Sequence, residues 1–166
     1  MLFLGKMLAV ASMKEGRRVT WFPSYGAEMR GGTANCTVII SDEMIGSPVV
    51  LTPDILVVMN KASFEKFQPS LKRKGLFFYD SSLILKHSAR RDITPVPVPA
   101  TQIASSAGNT KSANMVMLGA LVARTKILHE SSVLGLFDET RRQDTVMNTN
   151  RQSIIRGMAY VEDQEG

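Results

Sequence analysis

The chain has one cysteine, Cys36, and two histidines, His87 and His129. A single thiol closes no internal disulfide, which fits a reducing compartment, so the expected location is cytoplasmic. The same scarcity excludes an iron–sulfur cluster held by this chain alone and argues against a structural zinc site. Long apolar runs are also missing. Residues 1–10, interrupted by Lys6, and residues 115–123 are the longest. Both fall short of the ~20 residues a membrane-crossing helix needs, so no membrane partner is expected. The first run has no basic lead-in and no cleavage site, and reads as a core helix rather than a signal peptide. Catalytic signatures are absent as well. There is no HExxH, no CxxC, no Walker loop and no Ser–His–Asp grouping with local support. Acidic excess is lacking, and the formal net charge is +5. That sign favours anionic partners without choosing among nucleic acid, a phosphorylated cofactor and an acidic protein face. The basic groups 72–74, 90–91 and 141–142 are scattered, without interleaved aromatics or a helix-turn-helix. They read as solvated surface, and no nucleic-acid partner is expected.

What remains is enough for a core. The 166 residues are 44% hydrophobic and 21% charged, as in an ordinary folded domain, and are expected to form a single domain over 1–166. Residues 1–14 read as a helix stopped at Gly16, with an apolar face already present at its first residue. Arg18–Phe22 and Thr37–Ile40 are short, β-branched or aromatic, and read as strands. Ile55–Met59 is a continuous apolar run, expected to be a strand buried on both faces. A short helix over 62–67 follows, capped by Asn60 or Ser63. Leu76–Tyr79 reads as the next strand, with Ile84-Leu85 as a partner. Residues 93–99 place prolines at 95, 97 and 99, which removes ladder donors and predicts an edge strand or an extended linker. A short helix over 101–106 precedes a long one from 108 to 129. The long helix is apolar nearly all round between 115 and 123, with Gly119 allowing close approach and His129 at its C-terminal end. Short and long helices over 131–137 and 146–160 close the chain. Strands alternate with helices early and helices cluster late, which is α/β with a mostly parallel sheet flanked by helices.

Residues 23–36 have neither helical nor strand period. They hold Gly26, Gly31 and Gly32, with Arg30 ahead of the pair. Glycines let another group approach the backbone, and a guanidinium beside exposed N–H groups makes an anion seat. A tight turn with a solvated Arg30 is the competing reading, and both stay open on these residues. Tyr25, Glu28 and Asn35 lengthen the loop toward a binding role. Cys36 reads as a small hydrophobe entering a strand. Asp42 and Glu43 read as turn residues, and Asn114 as a backbone cap or a ligand contact.

The segment Thr20 to Asp42, followed by Ile45-Gly-Ser-Pro48, resembles the gamma subunit of 2-oxoacid:ferredoxin oxidoreductases, in particular the 2-oxoglutarate type within the pyruvate and ketoisovalerate gamma family. The pattern Tyr-Gly-x-Glu-x-Arg-Gly-Gly-Thr over residues 25–33 carries the likeness, supported by residues 114–121 and 148–160. The resemblance spans essentially the whole chain. It implies a Rossmann-like α/β domain that lacks the family's first strand and Gly-x-Gly-Gly-Gln-Gly turn, which would leave a gap in the sheet. It implies a role as an oxidoreductase subunit that helps bind coenzyme A and assembles the complex. That complex decarboxylates a 2-oxoacid to the acyl-CoA and passes electrons to ferredoxin. Thiamine diphosphate and iron–sulfur clusters are implied in other subunits or domains, none of them bound by this chain alone; alpha and beta subunits are the implied partners, with a ferredoxin-like delta subunit as a further one. Carried over residue by residue, Arg30, Gly31, Gly32 and Thr33 would face the CoA phosphates or pantetheine arm, with Asn114 as a further contact. Ser47 stands where the family sometimes has a lysine, so no contact is assigned there. Two other roles compete with this one: a purely structural interaction subunit, and a free-standing nucleotide- or nucleic-acid-binding domain.

Overall fold

The computed structural model describes residues 1–24, 34–85, 88–138 and 145–165. Helix α1 (Leu2–Lys14) leads into β1 (Arg18–Ser24) through Gly16, whose φ of +77° is the left-handed conformation the Gly stop implied. Strand β2 (Asn35–Ser41) pairs with β1 in antiparallel register from Arg18 opposite Ser41 to Ser24 opposite Asn35. A second sheet contains β3 (Ile55–Val58), β4 (Leu76–Asp80) and β5 (Thr94–Val98), all parallel, with β4 in the middle. Helix α2 (Lys61–Phe67) crosses between β3 and β4, and Asn60 Oδ1 accepts from Ser63 N at 2.8 Å as its cap. Helices α3 (Ala100–Ser106), α4 (Ala113–Thr125), α5 (Glu130–Asp138) and α6 (Thr145–Glu165) complete the chain. No described helix is long and apolar enough to cross a membrane.

Helix α4 is the hub. Met115, Val116, Met117, Leu118, Ala120 and Val122 are completely buried. It packs antiparallel against α6 at backbone contact. A Cβ added at Gly119 would stand 2.0 Å from the Ile154 carbonyl oxygen, and one added at Gly157 would stand 1.9 Å from that of Val116. Each glycine thus admits the other helix's backbone. A second cluster, Phe64, Leu71, Phe77, Tyr79, Ile84 and Ile93, fills the other face of the parallel sheet.

Five sequence expectations need correction. Ile84-Leu85 forms no strand. Asp80 turns the chain there, its carbonyl accepting from Leu83 N and Ile84 N and its carboxylate from Ser82 N. Strand β3 is buried on both faces only at Val58, because its outer edge lines a cleft rather than another strand. The long helix expected from 108 to 129 ends at Thr125, where Lys126 takes a left-handed φ of 49° and is held by Glu130 at 2.9 Å. His129 therefore lies past that helix, and its backbone N donates to Glu15 Oε1 at 2.8 Å. Arg90 is not solvated surface. It donates Nε and Nη2 to the Asp92 carboxylate at 2.9 and 2.8 Å, and Nη1 to the carbonyls of Gln68 and Leu71 at 2.9 and 2.8 Å. The proline-bearing segment, by contrast, is the edge strand expected, β5.

The two sheets share no ladder among the described residues. A cleft of about 430 Å³ separates β2 from β3, with Leu4, Leu8, Leu121 and Ile127 in its wall and Met1 at its margin.

Candidate functional site

The glycine loop is rooted in a hairpin whose ladder holds to its last pair, Ser24 opposite Asn35. Arg30, Gly31, Gly32 and Thr33 lie outside the described residues. So do Tyr25, Gly26 and Glu28 of the same loop, His87, and the Arg141-Arg142 pair. What the structure does place is the root of the loop.

Helix α1 fixes that root. A Cβ at Gly5 would fall 2.5 Å from Cys36 Sγ and 3.3 Å from both Trp21 Nε1 and Val38 Cγ2, so the helix backbone rests directly on β1 and β2. The Cys36 thiol donates toward the Met1 carbonyl at 4.0 Å. The base of the loop therefore sits beside the first turn of α1. Burial pushes the thiol's pKa up, partly countered by the Trp21 indole N–H and the N-terminal charge. A raised thiol is protonated at neutral pH, which suits a small packing residue and not a nucleophile. The first turn of α1 contains no acidic side chain. That turn lies next to the loop's root.

The carboxyl ends of parallel strands are the usual ligand edge of such sheets. Here the polar side chains at that edge have structural tasks. Asn60 caps α2. Asp80, fully buried, accepts from Thr101 N at 3.2 Å and from the Thr101 hydroxyl, which fixes the start of α3. Sequence reading missed this cap because its two halves are distant in the chain. The only local signal was an Asp ahead of two serines.

Asn114 stands half-buried on the first turn of α4, next to Ser112. The Ser112 and Ser153 hydroxyls meet at 2.8 Å in the α4–α6 interface, each also bonded to a backbone carbonyl. The loop residues that would accompany Asn114 lie outside the described residues. The described residues supply no metal centre: no group of three or more His, Cys, Asp or Glu is clustered among them. With one cysteine in the sequence, the donor set does not fit an iron–sulfur cluster.

Known proteins supply the remaining identification. Two curated relatives are the ketoisovalerate oxidoreductase subunit VorA of Methanothermobacter marburgensis and the 2-oxoglutarate synthase subunit KorC of Methanocaldococcus jannaschii. The first is 41% identical over 122 residues, covering 74% of this chain and 25% of its own length. The second is 36% identical over 134 residues, covering 80% of this chain and 70% of its own. The chain thus spans about a quarter of the VorA relative. Among solved structures, the gamma subunit of a keto/oxoacid ferredoxin oxidoreductase from Geobacter sulfurreducens superposes with a TM-score of 0.82 at 25% identity, over 98% of this chain and 91% of that one. The 2-oxoglutarate:ferredoxin oxidoreductase of Magnetococcus marinus, solved with 2-oxoglutarate, coenzyme A and succinyl-CoA, shares the fold at a TM-score of 0.87 and 24% identity, over 97% of this chain and 28% of that one. The family description "Pyruvate ferredoxin/flavodoxin oxidoreductase" matches residues 1–160. The chain belongs to the pyruvate ferredoxin/flavodoxin oxidoreductase family.

Proposed function

We propose that this chain is the gamma-type unit of a 2-oxoacid:ferredoxin oxidoreductase, that it helps hold coenzyme A, and that it completes the assembled enzyme. The observation that carries this reading is the family match over residues 1–160, which includes the whole Tyr-Gly-x-Glu-x-Arg-Gly-Gly-Thr loop. In this reading Arg30 pairs with a CoA phosphate, while Gly31 and Gly32 admit the ligand to the backbone and Thr33 donates a hydroxyl. Asn114 is a further contact. The formal net charge of +5 is in keeping with a negatively charged ligand. Alpha and beta subunits hold the thiamine diphosphate and iron–sulfur clusters, in keeping with the cysteine count here, and a ferredoxin-like delta subunit is a further partner.

The proposed 2-oxoacid is 2-oxoglutarate, after the sequence pattern and the KorC relative. A branched-chain 2-oxoacid is the second reading, favoured by the 41% identity to a ketoisovalerate subunit. Steady-state assays of the assembled enzyme with each 2-oxoacid separate the two. The CoA role is tested by Arg30→Ala in the same enzyme. The KM for CoA is expected to rise roughly tenfold or more, the loss of a charge-assisted pair worth about 1.5–3 kcal/mol, with little change for the 2-oxoacid. An unchanged CoA KM removes the ligand role. If the substitution instead costs co-purification of partner subunits, the loop is an interface.

A further inference from the structure

Between Ser41 at the end of β2 and Ile55 at the start of β3 the chain forms a long connection without helix or strand. Connections of roughly a dozen residues with no structure of their own are uncommon in compact domains and usually have a function. This one is tied down at both ends. Arg17 pairs with Asp42, and Ser41 Oγ accepts from Glu43 N at 3.0 Å. At the far end Lys72 Nζ reaches Asp54 Oδ1 at 2.7 Å, Lys72 N donates to the Pro53 carbonyl, and Leu76 N donates to that of Asp54. Ser47 Oγ accepts from Val49 N at 3.1 Å in the middle.

Its side chains do the opposite of what such anchoring usually serves. Met44 is 89% exposed, Leu51 80% and Val49 64%. Three large apolar residues are exposed within one short stretch of chain whose two ends are anchored. Scattered single apolar residues on a surface need no explanation, but three exposed between residues 44 and 51 of one end-anchored segment suit a contact. Met44 is also the kind of adaptable side chain that fills a partner's pocket.

What covers the cluster follows from the relatives. Those above 35% identity are named as subunits. In VorA and in the Magnetococcus chain the matching stretch is only about a quarter of a longer polypeptide, so the same fold there is joined to further protein of its own enzyme. We infer that residues 42–52 are an assembly surface, with Met44, Val49 and Leu51 docking onto an apolar face of another subunit of the same oxidoreductase. This rests on the function proposed above and goes beyond it in one respect. The connection leaves β2 at Ser41, whereas the glycine loop enters it at Asn35. At ~3.4 Å per residue the two lie roughly 20 Å apart along the strand. Assembly and CoA contact are therefore separable by substitution.

The experiment co-expresses the tagged chain with the other subunits of its enzyme. It compares wild type, Arg30→Ala, and the triple variant Met44→Glu, Val49→Glu, Leu51→Glu. A milder pair, Met44→Gln with Leu51→Gln, guards against misfolding, and circular dichroism melting of each purified chain confirms that it is folded. The expected result is at least a tenfold loss of co-purified subunits with the triple variant, a smaller loss with the pair, and full assembly with Arg30→Ala. Stoichiometric complex from the folded triple variant overturns the inference while leaving the proposed function standing. A wild-type chain that sediments as a dimer, which the triple variant converts to monomer, overturns it in favour of a second copy. Wild-type chain that recruits no partner removes the proposed function itself, and this inference with it.

Discussion

Replacing Gly119 by alanine tests the packing of the hub directly. The new Cβ would lie 2.0 Å from the Ile154 carbonyl oxygen, 2.8 Å from its carbon and 3.0 Å from its Cα. Ordinary carbon–oxygen contacts begin near 3.3 Å, so the two helices must part by about 1.3 Å. No rotamer change relieves the overlap, because every atom met is backbone in the middle of α6. Overpacking a filled core costs about 1–3 kcal/mol, and a helix-on-helix clash belongs at the upper end or beyond. Alanine's better helix propensity returns about 1 kcal/mol. The net expectation is a loss of about 2 kcal/mol or more, a fall of roughly 4–8 °C in melting temperature for a chain of this size. Gly157→Ala, facing the Val116 carbonyl at 1.9 Å, should behave alike. The double variant should cost less than the sum, since the first substitution already opens the gap the second needs. Gly135→Ala is the control. It lies on α5 with nothing within 4 Å of an added Cβ, so propensity alone should raise the melting temperature by a few degrees. Thermal and urea unfolding followed by circular dichroism read all four. A Gly119→Ala chain as stable as wild type, or more so, would refute the backbone-contact reasoning.

Two further outcomes are expected. The Arg90 guanidinium holds the Asp92 carboxyl below its ordinary value, so the stability this pair contributes is present above about pH 4 and is lost as pH falls through the lowered pKa. Asp92→Asn should flatten the acid limb of a melting-temperature profile, and Arg90→Lys, which keeps charge but loses the fork to two carbonyls, should lower the melting temperature at neutral pH. Gly5→Ala should destabilise by about 1–3 kcal/mol through its 2.5 Å approach to Cys36 Sγ, and Cys36→Ala should restore much of that loss. An additive double variant in urea unfolding would show that the sulfur is not the obstacle.

The parts of the fold legible in the sequence are those set by near neighbours. The apolar run over 115–123 announced a buried helix, and Gly119 within it announced close approach. Prolines at alternate positions marked β5 as an edge, since each lacks the N–H an inner strand would need. Asn60 was readable as a cap because its acceptor and the Ser63 N–H are three residues apart. What was illegible depends on distant partners. Arg90-Arg91 looks like surface charge until the carbonyls of Gln68 and Leu71 arrive on one side of Arg90. Leu83 to Leu85 has strand-forming residues, yet the Asp80 carbonyl and carboxylate turn the chain before a ladder can start. The same holds for the site. The loop motif identifies the family by residue type, and only the packing of Gly5 on Cys36 shows where the loop is rooted.

That rooting bears on the proposed binding of a charged ligand. A hairpin standing alone is marginal in water, and β1 and β2 find no strand beyond each other among the described residues. Their support is α1, which touches both strands through Gly5 and reaches the loop's base through the Met1 carbonyl. A displacement of α1 is therefore a displacement of the hairpin. The cleft beside β2 is lined by Leu4 and Leu8 of the same helix, so whatever fills it presses on the helix that supports the hairpin. In the proposed reading, enlarging Leu8, which lines the cleft, to Phe should shift the CoA KM of the assembled enzyme without any contact to the ligand.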